Sequence, residues 1–158
     1  MRKHTFMDRA FGRSDYDPDD QGDFIQGLVF VIMSFTGSSS NETYTVIKNE
    51  CAKLGLRARR VDEKGGSTFV IGDITRLIED AEFIICDLSE ERPNVYYELG
   101  YAHGVGNESD DVLLVARKGT RLHFDIAPLR VQYYASLEQL REILNAQLRR
   151  MIKVTRGG

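Results

Sequence analysis

The sequence lacks a basic surplus, has few cysteines and contains no long apolar run, and each absence removes a class of function. Its formal net charge is −3, whereas dedicated nucleic-acid binders usually carry an excess of Lys and Arg on one face. No nucleic-acid partner is therefore expected. Only two cysteines occur, Cys51 and Cys86, and no Cys/His cluster has the spacing of a zinc site. Cys86 lies in an apolar run and Cys51 in a helical pattern. Both read as packed, reduced thiols of a cytoplasmic protein rather than as a disulfide framework. No apolar run approaches the ~20 residues of a membrane span, so no membrane partner is expected. The basic start MRKHTFMDRAFGRS has no apolar stretch behind it and does not read as a secretory signal. Nothing in the composition calls for a metal or a cofactor.

What is present fits one soluble globular domain. The chain has 158 residues, 42% of them hydrophobic and 28% charged, enough to bury a core without staples. Residues 1–23 are polar, with the acidic stretch SDYDPDDQGD, and read as a flexible arm. The domain is expected over 24–152, with a frayed tail at 153–158. Leu28 to Met33 (LVFVIM) is an unbroken, β-branched-rich apolar run, the pattern of a strand buried on both faces. The loop SFTGSSSNE follows, then a helix from about Glu42 to Leu54 stopped by Gly55. Leu56 to Asp62 reads as a second strand and KGGST as a loop. A helix runs from about Val70 to Asp80, then an apolar strand Phe83 to Cys86. The loop DLSEERP leads to a helix from Pro93 or Asn94 to about Val105. Strands follow at Val112 to Ala116 and Val131 to Tyr134, separated by a long connection. Ser136 caps a final amphipathic helix, with Gln139 completing a capping box.

This alternation predicts an α/β fold: a doubly wound, mainly parallel five-stranded sheet of the flavodoxin or Rossmann kind, with helices on both faces. In such folds ligands bind beyond the C-terminal ends of the strands. The first strand ends in Ser34-Phe35-Thr36-Gly37, and the third in Asp87-Leu88-Ser89. Both lead into helix N-termini, where free N–H groups and hydroxyls favour an anion such as phosphate. The plain alternative is N-capping by Ser and Asn.

Glu98 stands out within PNVYYELGYAHGVG. Val95, Leu99, Ala102 and Gly106 form one face of that helix; Asn94, Glu98, Tyr101 and Val105 form the next. The helix dipole favours the Glu98 anion, whereas partial desolvation beside tyrosines raises its pKa. The plain alternative is an exposed glutamate on an amphipathic helix. Asp73 opens the preceding helix, where an acid also matches the dipole. His103, five residues past Glu98, points to another face and reads as a packing or surface residue.

The segment DITRLIEDAEFIICDLSEERPNVYYELGYAHGVG resembles the central stretch of the nucleoside 2-deoxyribosyltransferase superfamily, which includes the 2′-deoxynucleoside 5′-phosphate N-hydrolases. The resemblance rests on Asp73, on the Ala81-Glu82-Phe83-Ile84-Ile85 strand, and on Tyr97-Glu98-Leu99-Gly100-Tyr101-Ala102. It covers roughly Leu28 to Leu148. It implies cleavage or transfer at the N-glycosidic bond of a nucleoside or nucleoside 5′-monophosphate, without a cofactor. Glu98 matches the nucleophile that forms a glycosyl-enzyme, and Asp73 the acid that aids base departure or orients the sugar. Ser34, Phe35, Thr36, Gly37, Asp87, Ser89, Arg92, Asn94 and Tyr101 are the corresponding candidates for substrate contact. A homodimer or higher homo-oligomer is implied as well, with Val95, Tyr96 and Tyr101 as candidate interface residues. Arg92-Pro93-Asn94-Val95-Tyr96 departs from the smaller Ser and Gly residues that the nucleotide hydrolases tend to carry there. The same stretch also resembles TIR-like domains. That keeps two other readings open, an NAD-cleaving domain and a non-catalytic nucleotide-sensing module.

Overall fold

The computed structural model describes residues 24–61, 71–123 and 129–157. The expected N-terminal arm, the KGGST segment and residues 124–128 lie outside them. Among the described residues, five strands and four helices follow in the order β1 (Ile25–Ile32), α1 (Ser38–Lys53), β2 (Arg57–Arg59), α2 (Ile71–Asp80), β3 (Ala81–Asp87), α3 (Pro93–Gly104), β4 (Val112–Arg117), β5 (Val131–Tyr134) and α4 (Leu137–Arg156). The sheet order is β2-β1-β3-β4-β5, and all four pairings are parallel. This is the doubly wound order of flavodoxin-like folds, which reverses between β1 and β3.

The apolar runs explain the layering. Alternate side chains of a strand point to opposite faces, so an unbroken run supplies two cores at once. Val29, Val31, Phe83 and Ile85 pack with Ile47, Leu140, Leu144 and Leu148 on the side of α1 and α4. Phe30, Ile32, Ile84 and Cys86 pack with Ile78, Val95 and Leu99 on the side of α2 and α3. Cys51 and Cys86 are both buried and unbridged.

Several boundaries differ from the sequence reading, β1 starting at Ile25 rather than Leu28 and β3 at Ala81 rather than Phe83. Helix α1 starts at Ser38, four residues before the expected Glu42. Gly37, at φ +102°, adopts a backbone that side chains rarely tolerate, and this turns the chain straight into the helix. Ser38 to Ser40 therefore form its first turn rather than a loop. Strand β2 is shorter than expected, Arg57–Arg59. Helix α4 runs on through Arg156, past residue 152, where the domain was expected to end. Its last turn is held because Arg156 Nε and Nη2 donate to Glu82 Oε1 and Oε2 at 2.7 and 2.6 Å. Glu82, 3% exposed at the start of β3, also accepts from the Gly27 N–H at 2.6 Å. At the other end of α4, Ser136 Oγ accepts from the Gln139 N–H. The Gln139 side chain returns to the Ala135 N–H, one residue earlier than in a strict capping box.

Candidate functional site

The crevice at the reversal point is bounded by the turn after β1 and the loop after β3. It holds two cavities, one on each side of the end of β1, with Met33 lining both.

The cavity facing α2 and α3 encloses about 140 Å³, lined by Val31, Met33, Phe35, Arg60, Val61, Ile74, Asn94 and Glu98. Most of this lining is apolar, and Glu98 is 7% exposed. Burial pushes its carboxyl up to about 7, partly offset by a hydrogen bond from the Asn94 side chain one helical turn earlier. The two opposed effects read from the sequence thus resolve in favour of desolvation. The plain alternative of an exposed glutamate does not hold. Arg60, just beyond β2, is 5% exposed. Its guanidinium lies 4.3 Å from the centre of the Tyr44 ring, and its Nη2 donates to Asn41 Oδ1 at 3.0 Å. A buried cation and a buried carboxylate therefore face one small, mainly apolar space.

The cavity facing α1 encloses about 70 Å³ and is polar: Ser34, Ser39, Ser40, Thr43, Asp87, Ser89, Glu90 and Arg117 line it with Met33. Asp87 is buried with both oxygens engaged. Oδ1 accepts from the Ser89 N–H and Oδ2 from the Tyr134 hydroxyl, each at 2.8 Å. Ser89 Oγ accepts from the Arg117 N–H at 2.8 Å. Burial raises the Tyr134 hydroxyl above its ordinary range, and the nearby Asp87 charge adds to this. Asp87 thus ties the loop after β3 to β5. Ser34 Oγ and Thr36 Oγ1 lie 3.0 Å apart. Glu90 spans the crevice, accepting from Thr36 Oγ1 and Ser40 Oγ, each at 3.4 Å.

The expected residues therefore divide. Glu98, Asn94 and Phe35 share one cavity, and Ser34, Asp87 and Ser89 line the other. Thr36 and Gly37 form the turn between β1 and α1. Asp73 sits in the first turn of α2, partly buried, and its neighbour Ile74 is the residue that lines the Glu98 cavity. Arg92 is the exposed N-cap of α3 and lines neither cavity. Tyr101 turns to α2, where its hydroxyl donates to Glu79 Oε1. One of the expected interface residues on α3 is corrected here. Val95 is 1% exposed, within the chain's own core, and the exposed aromatic of this helix is Tyr97, at 59%. Tyr96 donates to Glu91 Oε1 at 2.6 Å and meets the His123 ring edge-on. Sequence reasoning missed Arg60, Thr43 and Glu90. The rule that sites lie at strand ends would have found Arg60. Thr43 carried no signal, because it lies a turn inside α1.

Larger openings lie elsewhere. One of about 700 Å³ is lined by residues such as His103, Leu129 and Arg150, and holds none of the candidates. Among the described residues, no group of three or more His, Cys, Asp or Glu side chains could hold a metal ion. No helix there is long and apolar enough to cross a membrane.

No family model matches the chain, and no curated protein matches it. Solved structures do. The CMP N-glycosidase BcmB of Clostridium botulinum superimposes with a TM-score of 0.58 at 13% identity, over 75% of this chain and 98% of that one. A 2-deoxyribosyltransferase of Bacillus psychrosaccharolyticus gives 0.54 at 13% identity, over 72% and 90%. A flavo di-iron protein of Thermotoga maritima gives 0.59 at 16% identity, over 82% of this chain but 37% of that one. At such identities the likeness establishes the fold, which these proteins share across unrelated chemistries.

Proposed function

We propose that the chain cleaves or transfers at the N-glycosidic bond of a nucleoside or nucleotide, with Glu98 as the attacking group. The observation that carries this reading is a buried, electrostatically perturbed carboxylate in a cavity at the fold's reversal point. Perturbed acids in clefts mark candidate sites. Two of the structures that share the fold are named for chemistry at nucleoside glycosidic bonds, which favours this reading over others the fold permits.

In the proposed reaction a Glu98 carboxylate oxygen attacks C1′ as the C1′–N bond breaks. The bonding electron pair leaves with the base, which then takes up a proton. Water, or a second base, attacks C1′ in turn and releases Glu98 as the carboxylate. The apolar walls would limit water around the charged transition state. Arg60 is permanently charged and would stabilise the negative charge that develops on the departing base. Asn94 would hold Glu98 in its reactive rotamer. Asp73, at the edge of this region, would supply the proton or orient the sugar.

The test is base release from a panel of nucleosides, nucleoside 5′-monophosphates and NAD, run beside Glu98→Ala. Release from one class, lost in the variant, is the expected outcome. Release of nicotinamide alone would transfer the same residue to NAD cleavage. No release from any substrate, with or without an acceptor base, would end the enzymatic reading in favour of a binding module.

A further inference from the structure

The polar cavity bears on which part of a substrate it can take. A helix N-terminus ringed by hydroxyls ordinarily suits a phosphate, and the turn before α1 has that form. Here the place is taken by a carboxylate of the chain itself, because Glu90 accepts from both Thr36 and Ser40. Beside the half-buried Glu90, Asp87 adds a buried carboxylate to the lining. The cation there, Arg117, is exposed, and its side chain is hydrogen-bonded to Tyr134. The lining thus sets two acidic side chains against one basic one. A phosphate dianion entering it would meet like charge in a partly dry space.

Two further features show what the cavity lacks. Thr43 is 1% exposed, and its Oγ1 has no hydrogen-bond partner. An unpaired buried hydroxyl costs about 1–3 kcal/mol, so a group that reaches it is favoured. Glu90's two contacts are long for hydrogen bonds to a hydroxyl, and a carboxylate can accept about four. Both residues are thus suited to one neutral hydroxyl, which donates to Glu90 and pairs with Thr43. A volume of about 70 Å³ admits such a group, since about 10–15 Å³ suffices for one water.

We infer that the polar cavity seats an uncharged hydroxyl of the substrate, so that the chain acts on a free nucleoside and discriminates against the 5′-monophosphate. This rests on the N-glycosidic reading above, and it sets the sugar between Glu98 and the polar cavity, whose linings share Met33. Glu90 is the specificity residue and Thr43 its partner.

The experiment compares kcat/KM for base-matched nucleosides and 5′-monophosphates in the wild type, Glu90→Gln and Thr43→Val. The wild type is expected to favour the nucleoside by at least ~10-fold, and Glu90→Gln to shrink that ratio by ~10-fold through gain on the monophosphate. Thr43→Val, which leaves the charges in place, is expected to raise KM for the nucleoside several-fold. A wild type that prefers the monophosphate, or a ratio unmoved in Glu90→Gln, overturns the inference. Should no substrate be cleaved, the N-glycosidic reading fails separately and thermal stabilisation decides this one. Stabilisation of the wild type by nucleoside alone, extended to the monophosphate in Glu90→Gln, supports it. Stabilisation by the monophosphate in the wild type, or by neither ligand, overturns it.

Discussion

The two cavities beside Met33 hold buried carboxylates in opposite states. Asp87 is fully engaged, with a backbone N–H on one oxygen and a tyrosine hydroxyl on the other. Glu98 has the Asn94 side chain as its hydrogen-bond partner and is pushed up to about 7 by burial. One carboxylate is satisfied and holds two strands together; the other is under-solvated and faces empty space. The contrast teaches how to separate structural from reactive acids when both are buried. Burial is similar in the two, and what differs is how far hydrogen bonds replace the lost water.

Four experiments break or sharpen that contrast. The largest effect is expected from Glu98→Gln, which keeps shape and removes the charge. Turnover should fall on the order of 10³-fold or more. In the wild type kcat/KM should rise with pH through a midpoint near 7 as the carboxyl ionises to its nucleophilic form. A profile that falls through that midpoint would make Glu98 a proton donor instead.

Next comes Arg60→Gln, expected to lower kcat on the order of 10²-fold with a smaller change in KM, since the guanidinium acts on charge that develops only in the transition state. An effect confined to KM would reduce Arg60 to a binding contact.

Asp87→Ala should register in stability. It strands the Tyr134 hydroxyl and the Ser89 N–H, and should cost about 3 kcal/mol in urea unfolding. If stability were unchanged, the distinction between the two acids would collapse.

The last effect, at most comparable in size, has the opposite sign. Because Glu98's folded pKa of about 7 lies above its ordinary 4.5, the native state binds the extra proton between these values. Wild-type stability should therefore fall as pH rises through that window, by up to about 3 kcal/mol. Glu98→Gln should be free of that fall and the more stable protein at about pH 8, as read by thermal unfolding at several pH values.

Much of this was legible in the sequence. The run Leu28 to Met33 announced a strand buried on both faces, and β5 falls on Val131–Tyr134 as read. Regular alternation makes such elements visible, because hydrophobic periodicity is local. Glu98 stood out through its place in a short motif. What stayed hidden depends on contacts between distant residues. Arg60 joins Glu98 only once β2 lies beside β1. Glu90 reaches Thr36 from 54 positions away, and Tyr101 is drawn to Glu79 rather than to the crevice. The early start of α1 was missed for a local reason, since three serines after a glycine read equally well as loop or first turn.

The link from Gly27 through Glu82 to Arg156 also sets a schedule for synthesis. Its parts lie 55 and 74 positions apart, and its last member sits in the final turn of α4. A nascent chain can pair β1 with β3 long before Arg156 leaves the ribosome. Until then Glu82 lacks the guanidinium that both its oxygens engage in the folded domain. Completion of the clamp therefore has to wait until α4 has been made through Arg156.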